Sequence, residues 1–318
     1  MSVLGATASG LYWMFRNLER SDSATRVIEA TLRVSFTDAE LGRMEWESII
    51  TSSGLREYWN QHSSAMPSEV PTAELINFLL SDPDNPSSLL ATITSAHANA
   101  RRVRTALSRE TAEAINSTAS QAASLIRGTQ ELADLPETLA TLRRLLAQVH
   151  GAHAVTAMRN ENFSFGRLGT FIERADATAR IVSAKTVALS AESQAGLQLE
   201  NLHFDTVLRS VAAHRAFRWV DSGTMTGPAI ADFLICSLRM PRSLAYSFHK
   251  VVENLGHLSD DYGTVQPSAE LALALLDKCS NRASHELIND GLHLFLDQIM
   301  QDINELGLQI STDYRFDR

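Results

Sequence analysis

The chain has 318 residues, 44% of them hydrophobic and 20% charged, with a formal net charge of −9 and a pI near 5.6. That length holds two domain-sized units or one large helical body, and the acidic balance excludes a general nucleic-acid or anionic-membrane binder. With two cysteines, no basic-then-apolar leader and no run of about eighteen apolar residues, the expectation is a soluble cytoplasmic protein with no metal, no cofactor and no membrane segment.

Punctuation is sparse, with 8 prolines and 15 glycines, and Ala, Leu, Arg and Glu dominate. That composition favours helix throughout, about a dozen helices in all. In the first of them Glu19, Asp22 and Arg26 fall at i, i+3 and i+7, on one helical face. Leu11, Tyr12, Phe15 and Leu18 occupy an overlapping arc. A surface helix keeps its charges opposite its apolar stripe. These charges are therefore expected to face inward, where each needs a partner. Arg26 can reach back to Asp22 at i,i+4 spacing. Breaks follow at Met66-Pro67 through Pro71 and Asp82-Pro83 through Pro86, and later at Leu135-Pro136, Gly223 through Pro228, Met240-Pro241 and Gly263 through Pro267. Pro86 and Pro241 each precede a serine and an amphipathic run, which suits a helix start.

The charged phrase then returns. Leu18-Glu19-Arg20-Ser21-Asp22-Ser23-Ala24-Thr25-Arg26 is echoed by Ile172-Glu173-Arg174-Ala175-Asp176-Ala177-Thr178-Ala179-Arg180, an offset of 154 residues. Phe78 with Phe233, and Asn85-Pro86-Ser87-Ser88-Leu89 with Met240-Pro241-Arg242-Ser243-Leu244, repeat at an offset of 155. The expected architecture is therefore an all-α, pseudo-twofold bundle, duplicated internally with about six helices per repeat. The region 150–162 lacks linker composition, so residues 1–318 are expected to form a single domain of two repeats, about 1–155 and 156–318.

Other chemistry finds little support. Trp13, Trp46, Trp59 and Trp219 on helical segments, and Cys236 in its apolar run, are expected in the core; an exposed Trp59 or Trp219 beside arginines would instead mark a ligand or partner surface. His150/His153 and His249/Glu253/His257 have helical spacing, and Glu200-Asn201-Leu202-His203 is a Glu-x-x-His, but no second such motif completes a di-iron set. Gly-rich phosphate loops and nucleophile elbows are absent. Only Lys185, Lys250 and Lys278 are lysines among the 28 basic residues. Codon bias explains that skew, or else the planar arginine fork serves carboxylate or phosphate groups.

The set Gly10 to Arg20, Asn85-Pro86-Ser87-Ser88, Asn99-Ala100-Arg101, Leu168 to Arg180 and Arg239-Met240-Pro241-Arg242-Ser243 resembles the bacterial alpha-E domain family across essentially the whole chain. The resemblance implies an all-helical fold with glutamate-rich motifs. It also implies a setting beside, or fused to, circularly permuted ATP-grasp-type ligases, with transglutaminase-like proteins as further neighbours. This chain departs at His97-Ala98-Asn99-Ala100-Arg101, where the family usually reads Arg-Glu-Asn-Ala-Arg, so one glutamate is missing.

Three accounts of the stripe follow. In the first, the chain is a helical accessory partner of an ATP-grasp-type amide ligase, with Arg16, Arg20, Asp22, Arg26, Arg101, Arg104, Arg174, Asp176, Arg180, Arg239 and Arg242 binding a peptide, a small carboxylate or the partner. In the second, it is an enzyme of the same pathway, with Glu19 and Glu173 as general acid and base. In the third, buried ion pairs only lock the repeats together. An open pocket or a closed network around Glu19 and Glu173 discriminates among them.

Overall fold

The computed structural model describes residues 5–128, 132–185, 197–220, 225–280 and 291–316. Among them are fourteen α-helices: α1 (Gly5–Thr37), α2 (Ala39–Ser52), α3 (Arg56–His62), α4 (Thr72–Leu80), α5 (Leu89–Arg102), α6 (Arg109–Gly128), α7 (Leu135–Thr156), α8 (Glu161–Ala184), α9 (Leu197–Ser210), α10 (His214–Val220), α11 (Gly227–Cys236), α12 (Leu244–Tyr262), α13 (Pro267–Ser280) and α14 (Leu292–Asp313). Short 3-10 turns lie at Pro67–Glu69, Arg104–Ala106 and Leu132–Asp134. No strand occurs among the described residues, and no described helix is long and apolar enough to cross a membrane. The helices beyond the expected dozen include α3 and α10, each 7 residues long, too short to show a helical period in sequence.

Local chemistry sets the boundaries. The Ser88 and Ser243 hydroxyls accept hydrogen bonds from the backbone N–H of Ala91 and Tyr246, capping α5 and α12. Pro86 and Pro241 stand two residues before those caps, so they direct the chain into the helix rather than forming its first turn. Pro136, by contrast, does lie in the first turn of α7. Asn160 caps α8, and Gly263, with φ of +67°, closes α12 in the left-handed conformation that glycine adopts without strain.

Helices α1 and α8 form the central pair, packed on each other more extensively than any other two elements. They approach at Gly169 and Gly166. A Cβ at Gly169 would collide with the Tyr12 carbonyl oxygen, and one at Gly166 would press on the Phe15 ring. One apolar cluster, from Met14 to Val149, covers one side of the pair. A second, with Leu11, Tyr12 and Val103 joined to residues from Phe165 to Phe316, covers the other. Trp46 and Trp59 belong in this core, at 1% and 0% exposure, but Trp13 is half-exposed and Trp219 is 83% exposed. The core expectation thus fails for Trp13, whose ring lies 5.0 Å under the Arg16 guanidinium, and for Trp219, which α10 turns outward on its last turn. Cys279 is buried and Cys236 half-buried.

Candidate functional site

The stripe residues sit where α1 and α8 face one another. Glu19, Asp22, Glu173 and Asp176 are exposed by only 1%, 6%, 3% and 8%, so all four carboxylates are inside the fold. Burying a charge is tolerated only with close, well-oriented partners. Arginine supplies them here.

The pairing is reciprocal across the helix pair. Arg174 donates from Nε and Nη2 to the two carboxylate oxygens of Glu19, at 2.9 and 2.8 Å. Arg20 donates from Nε and Nη2 to the two oxygens of Glu173, at 2.6 and 3.0 Å. Each Glu-Arg dipeptide therefore holds the glutamate of the other through a bidentate fork, the strongest neutral-pH geometry open to these groups. Within each helix the i,i+4 bonds also form: Arg26 Nε to Asp22 and Arg180 Nε to Asp176, both 2.9 Å.

Further cations complete each side differently. Arg16 donates to Glu173 at 2.8 Å while its guanidinium lies over Tyr12 and Trp13, at 5.7 and 5.0 Å. Arg242, just before α12, comes within 2.9 Å of Glu19 Oε1 and also donates to Asp22 Oδ2. Its loop is pinned from α8: the Thr178 hydroxyl donates to the Arg242 carbonyl at 2.9 Å, and Arg174 Nη1 donates to the Pro241 carbonyl at 3.3 Å. His150 stands 3.9 Å from Glu19. Arg101, Arg104 and Arg239, which the sequence groups with these, are exposed and join none of these pairs. Arg101 ends α5, and Arg104 falls in the 3-10 turn after it.

Electrostatics follow from this packing. Burial alone would raise the Glu19 carboxyl, but the charges of Arg174 and Arg242 and the Arg174 hydrogen bond more than offset it, holding the group far below the usual carboxylate range. For Glu173 burial is again opposed, by Arg16 and Arg20, and the balance is again downward. Both glutamates are ionised at neutral pH, and both oxygens of each already accept hydrogen bonds. Burial pushes the His150 imidazole below its usual value, more than neighbouring Glu19 can restore.

A second buried charge cluster has no local sequence signature. Glu45 on α2, 3% exposed, accepts from Lys185 Nζ at 2.6 Å and pairs with His203 Nδ1 at 3.1 Å. It ties α2 to the end of α8 and to α9. The available hints were the rarity of lysine, the position of Lys185 one turn past the second charged phrase, and His203 in the Glu-x-x-His run. Among the described residues no group of three or more His, Cys, Asp or Glu is placed to hold a metal ion.

The sequence profile of Alpha-E, "a predicted alpha-helical domain with a conserved ER motif", matches residues 3–314. The chain belongs to the Alpha-E family. Glu-Arg occurs twice in this Alpha-E chain, at 19–20 and 173–174, and these two dipeptides make the reciprocal forks described above. No curated protein and no solved structure matches the chain.

A cavity of about 210 Å³ opens beside one half of this Alpha-E network. Arg20, Glu173, Asp176 and Arg180 line its polar side, and Val27, Ile28, Ile49 and Leu55 are among those lining its apolar side. On the Glu19 and Asp22 side Arg242 stands between the two carboxylates.

Proposed function

We propose that this Alpha-E chain is a non-catalytic helical binding component of an ATP-grasp-type amide ligase system, acting in synthesis or modification of peptide-like amides. A transglutaminase-like protein is its further partner, and a peptide or small carboxylate its ligand. The observation that carries the non-catalytic part is the saturation of Glu19 and Glu173 by bidentate arginine forks. A general acid needs a proton to give near operating pH, and a general base needs a free lone pair facing the substrate. Both glutamates are held ionised below that pH, so neither carries the proton, and the arginine bonds to both oxygens of each weaken them as bases. The ligase assignment rests on the family resemblance, and the cavity beside Glu173 gives a binding role a physical place.

We infer further that the chain is one domain of two repeats meeting near residue 155. Supporting this, α1–α7 and α8–α14 run through helices of similar order, and α7 and α14 have 22 residues each. The two apolar clusters and the exchanged Glu-Arg forks point the same way.

The test is co-purification of the tagged chain with the ATP-grasp-type ligase encoded beside it, together with ligase turnover assayed with and without the chain. Retention of the ligase and a rise in turnover or solubility are expected. A ligase that is fully active and soluble alone, and that does not associate, refutes the proposal. Glu19→Gln and Glu173→Gln distinguish the enzymatic alternative, since folded variants that keep pathway activity remove acid–base chemistry at these positions.

A further inference from the structure

The two halves of the network differ at one point. In the sequence register that aligns Asn85-Pro86-Ser87-Ser88 with Met240-Pro241-Arg242-Ser243, the counterpart of Arg242 is Ser87. The caps agree with that register, since Ser88 and Ser243 close the N-termini of α5 and α12 in the same way. Arg242 bridges Glu19 and Asp22. Ser87 has no charge and a short side chain, and where an arginine would lie between Glu173 and Asp176 there is the cavity, which Ser87 itself lines. The anchoring differs in the same sense. Thr178 holds the Arg242 carbonyl, whereas its counterpart in the repeated phrase is Ala24, which lines the cavity and has no hydroxyl to donate.

Among the described residues, the Asp176 carboxylate beside this place has one cation where Asp22 has two. Asp176 lines the cavity and is 8% exposed; its Oδ2 accepts from Arg180, but its buried Oδ1 has no hydrogen-bond partner among the described residues. A buried carboxylate oxygen without a donor is destabilising. On the other side, Arg26 and the bridging Arg242 both donate to Asp22 Oδ2.

We propose that the cavity is a binding site for an alkylguanidinium group, an arginine side chain, that bridges Glu173 and Asp176 as Arg242 bridges Glu19 and Asp22. The apolar wall of Val27, Ile28, Ile49 and Leu55 receives the methylene stem. The volume of about 210 Å³ lies below the roughly 300–1,000 Å³ of drug-sized pockets, which suits one side chain. Arg20 and Arg180 also line the site, but their counterparts Arg174 and Arg26 surround Arg242 on the other side, so that density of guanidinium already occurs in this fold. Arg16 is the additional cation, and the Tyr12 and Trp13 faces take up part of its charge. The assignment rests on the chain being a binding component and names the side chain it takes. It needs no ligase, so failure of the ligase association leaves it standing.

The experiment is calorimetric titration of the purified full chain at neutral pH with N-acetylarginine methylamide, its neutral isostere N-acetylcitrulline methylamide, and n-butylguanidinium. Saturable binding of the arginine probe at least about tenfold tighter than the citrulline probe is expected, because only the cation makes charge-assisted bonds. Asp176→Asn weakens it at least about tenfold, and Ser87→Arg, which supplies the missing bridge from within, abolishes it. Tighter binding of the peptide-like probe than of n-butylguanidinium assigns the group to a peptide, and the reverse assigns it to a free small molecule. Equal affinity for arginine and citrulline probes on the unmodified chain overturns the proposal whatever the variants do. So does undiminished binding by a folded Ser87→Arg protein.

Discussion

The reciprocal forks make an asymmetric prediction for stability. Arg174→Met removes two of the hydrogen bonds to Glu19, which is 1% exposed and keeps only Arg242, shared with Asp22, and the neutral His150 nearby. Each hydrogen bond to a charged group is worth about 1.5–3 kcal/mol, and stripping one partner from a buried pair costs about 3–5 kcal/mol. With Arg242 still in place, the expected loss is near the lower end, about 3 kcal/mol. Arg20→Met also removes a bidentate fork, but its side chain is 33% exposed, Glu173 borders the cavity, and Arg16 remains at 2.8 Å. Water and Arg16 compensate, so about 1–2 kcal/mol is expected. Urea unfolding followed by circular dichroism at neutral pH, with m held common, reads both losses. The Glu19→Leu/Arg174→Met double variant should lose less than the two single losses together, because it leaves no stranded carboxylate. Equal costs for the two arginine variants, or strict additivity in the Glu19–Arg174 cycle, would refute the reciprocal-fork account.

Acidification tests the buried histidine. His153 is 5% exposed, neither ring nitrogen has a hydrogen-bond partner among the described residues, and burial, then the charges of His150, Arg167 and Arg159, push its pKa down to about 3. The unfolded chain takes up that proton near pH 6.5 and the folded one does not, so this contribution is present above pH 6.5 and is lost as pH falls. The loss amounts to at most about 3 kcal/mol by pH 4.5. His153→Leu should flatten the stability profile across that window. Glu19 and Glu173 act lower: both are held below the usual range, so their contribution is present above about pH 4.3 and falls away beneath it. Glu19→Gln should cost stability at pH 7 and weaken the acid dependence below pH 4, as denaturant titrations at successive pH values will show. Gly169→Ala is a sign test. Helix propensity alone favours alanine by about 1 kcal/mol, whereas the collision with the Tyr12 carbonyl predicts a net loss and an opened α1–α8 pair. A stabilised variant would contradict that close approach.

What the sequence disclosed, and what it withheld, divides along range of interaction. The period of 3.6 carried the helices and put Glu19, Asp22 and Arg26 on one face, and the overlap with Leu11, Phe15 and Leu18 placed that face indoors. The i,i+4 pairs Arg26–Asp22 and Arg180–Asp176 followed from the same geometry. The exchange of Arg20 and Arg174 between motifs did not, because it depends on how α1 crosses α8, and that crossing is fixed by contacts such as Gly169 on Tyr12. Arg239 and Arg242 share a loop and looked alike, yet the loop turns only Arg242 inward, where Thr178 and Arg174 hold its backbone. Glu45, Lys185 and His203 lie on three separate elements, and no local pattern joins them.

The asymmetry between Arg242 and Ser87 separates a lock from a site. If the charged stripe served only to fasten α1 to α8, each carboxylate pair would gain from a bridging cation, and the two-repeat frame proposed above would supply the same one twice. One side does so: Glu19 and Asp22 share Arg242, and His150 stands at 3.9 Å. On the other, Asp176 pairs with Arg180 alone among the described residues, and the cavity opens beside the Glu173–Asp176 pair. Ser87→Arg would give Asp176 the second cation that Arg242 gives Asp22. The lock explains the Glu19 side and Glu173 itself, which holds both Arg16 and Arg20, but leaves Asp176 with one cation where Asp22 has two. A pseudo-symmetric pair in which one copy is closed by its own arginine and the other is left to be closed from outside accounts for both. On that account Ser87→Arg should raise the unfolding free energy by about 1–3 kcal/mol while removing the site. Loss of stability in that variant would show that the space beside Asp176 cannot hold a guanidinium at all.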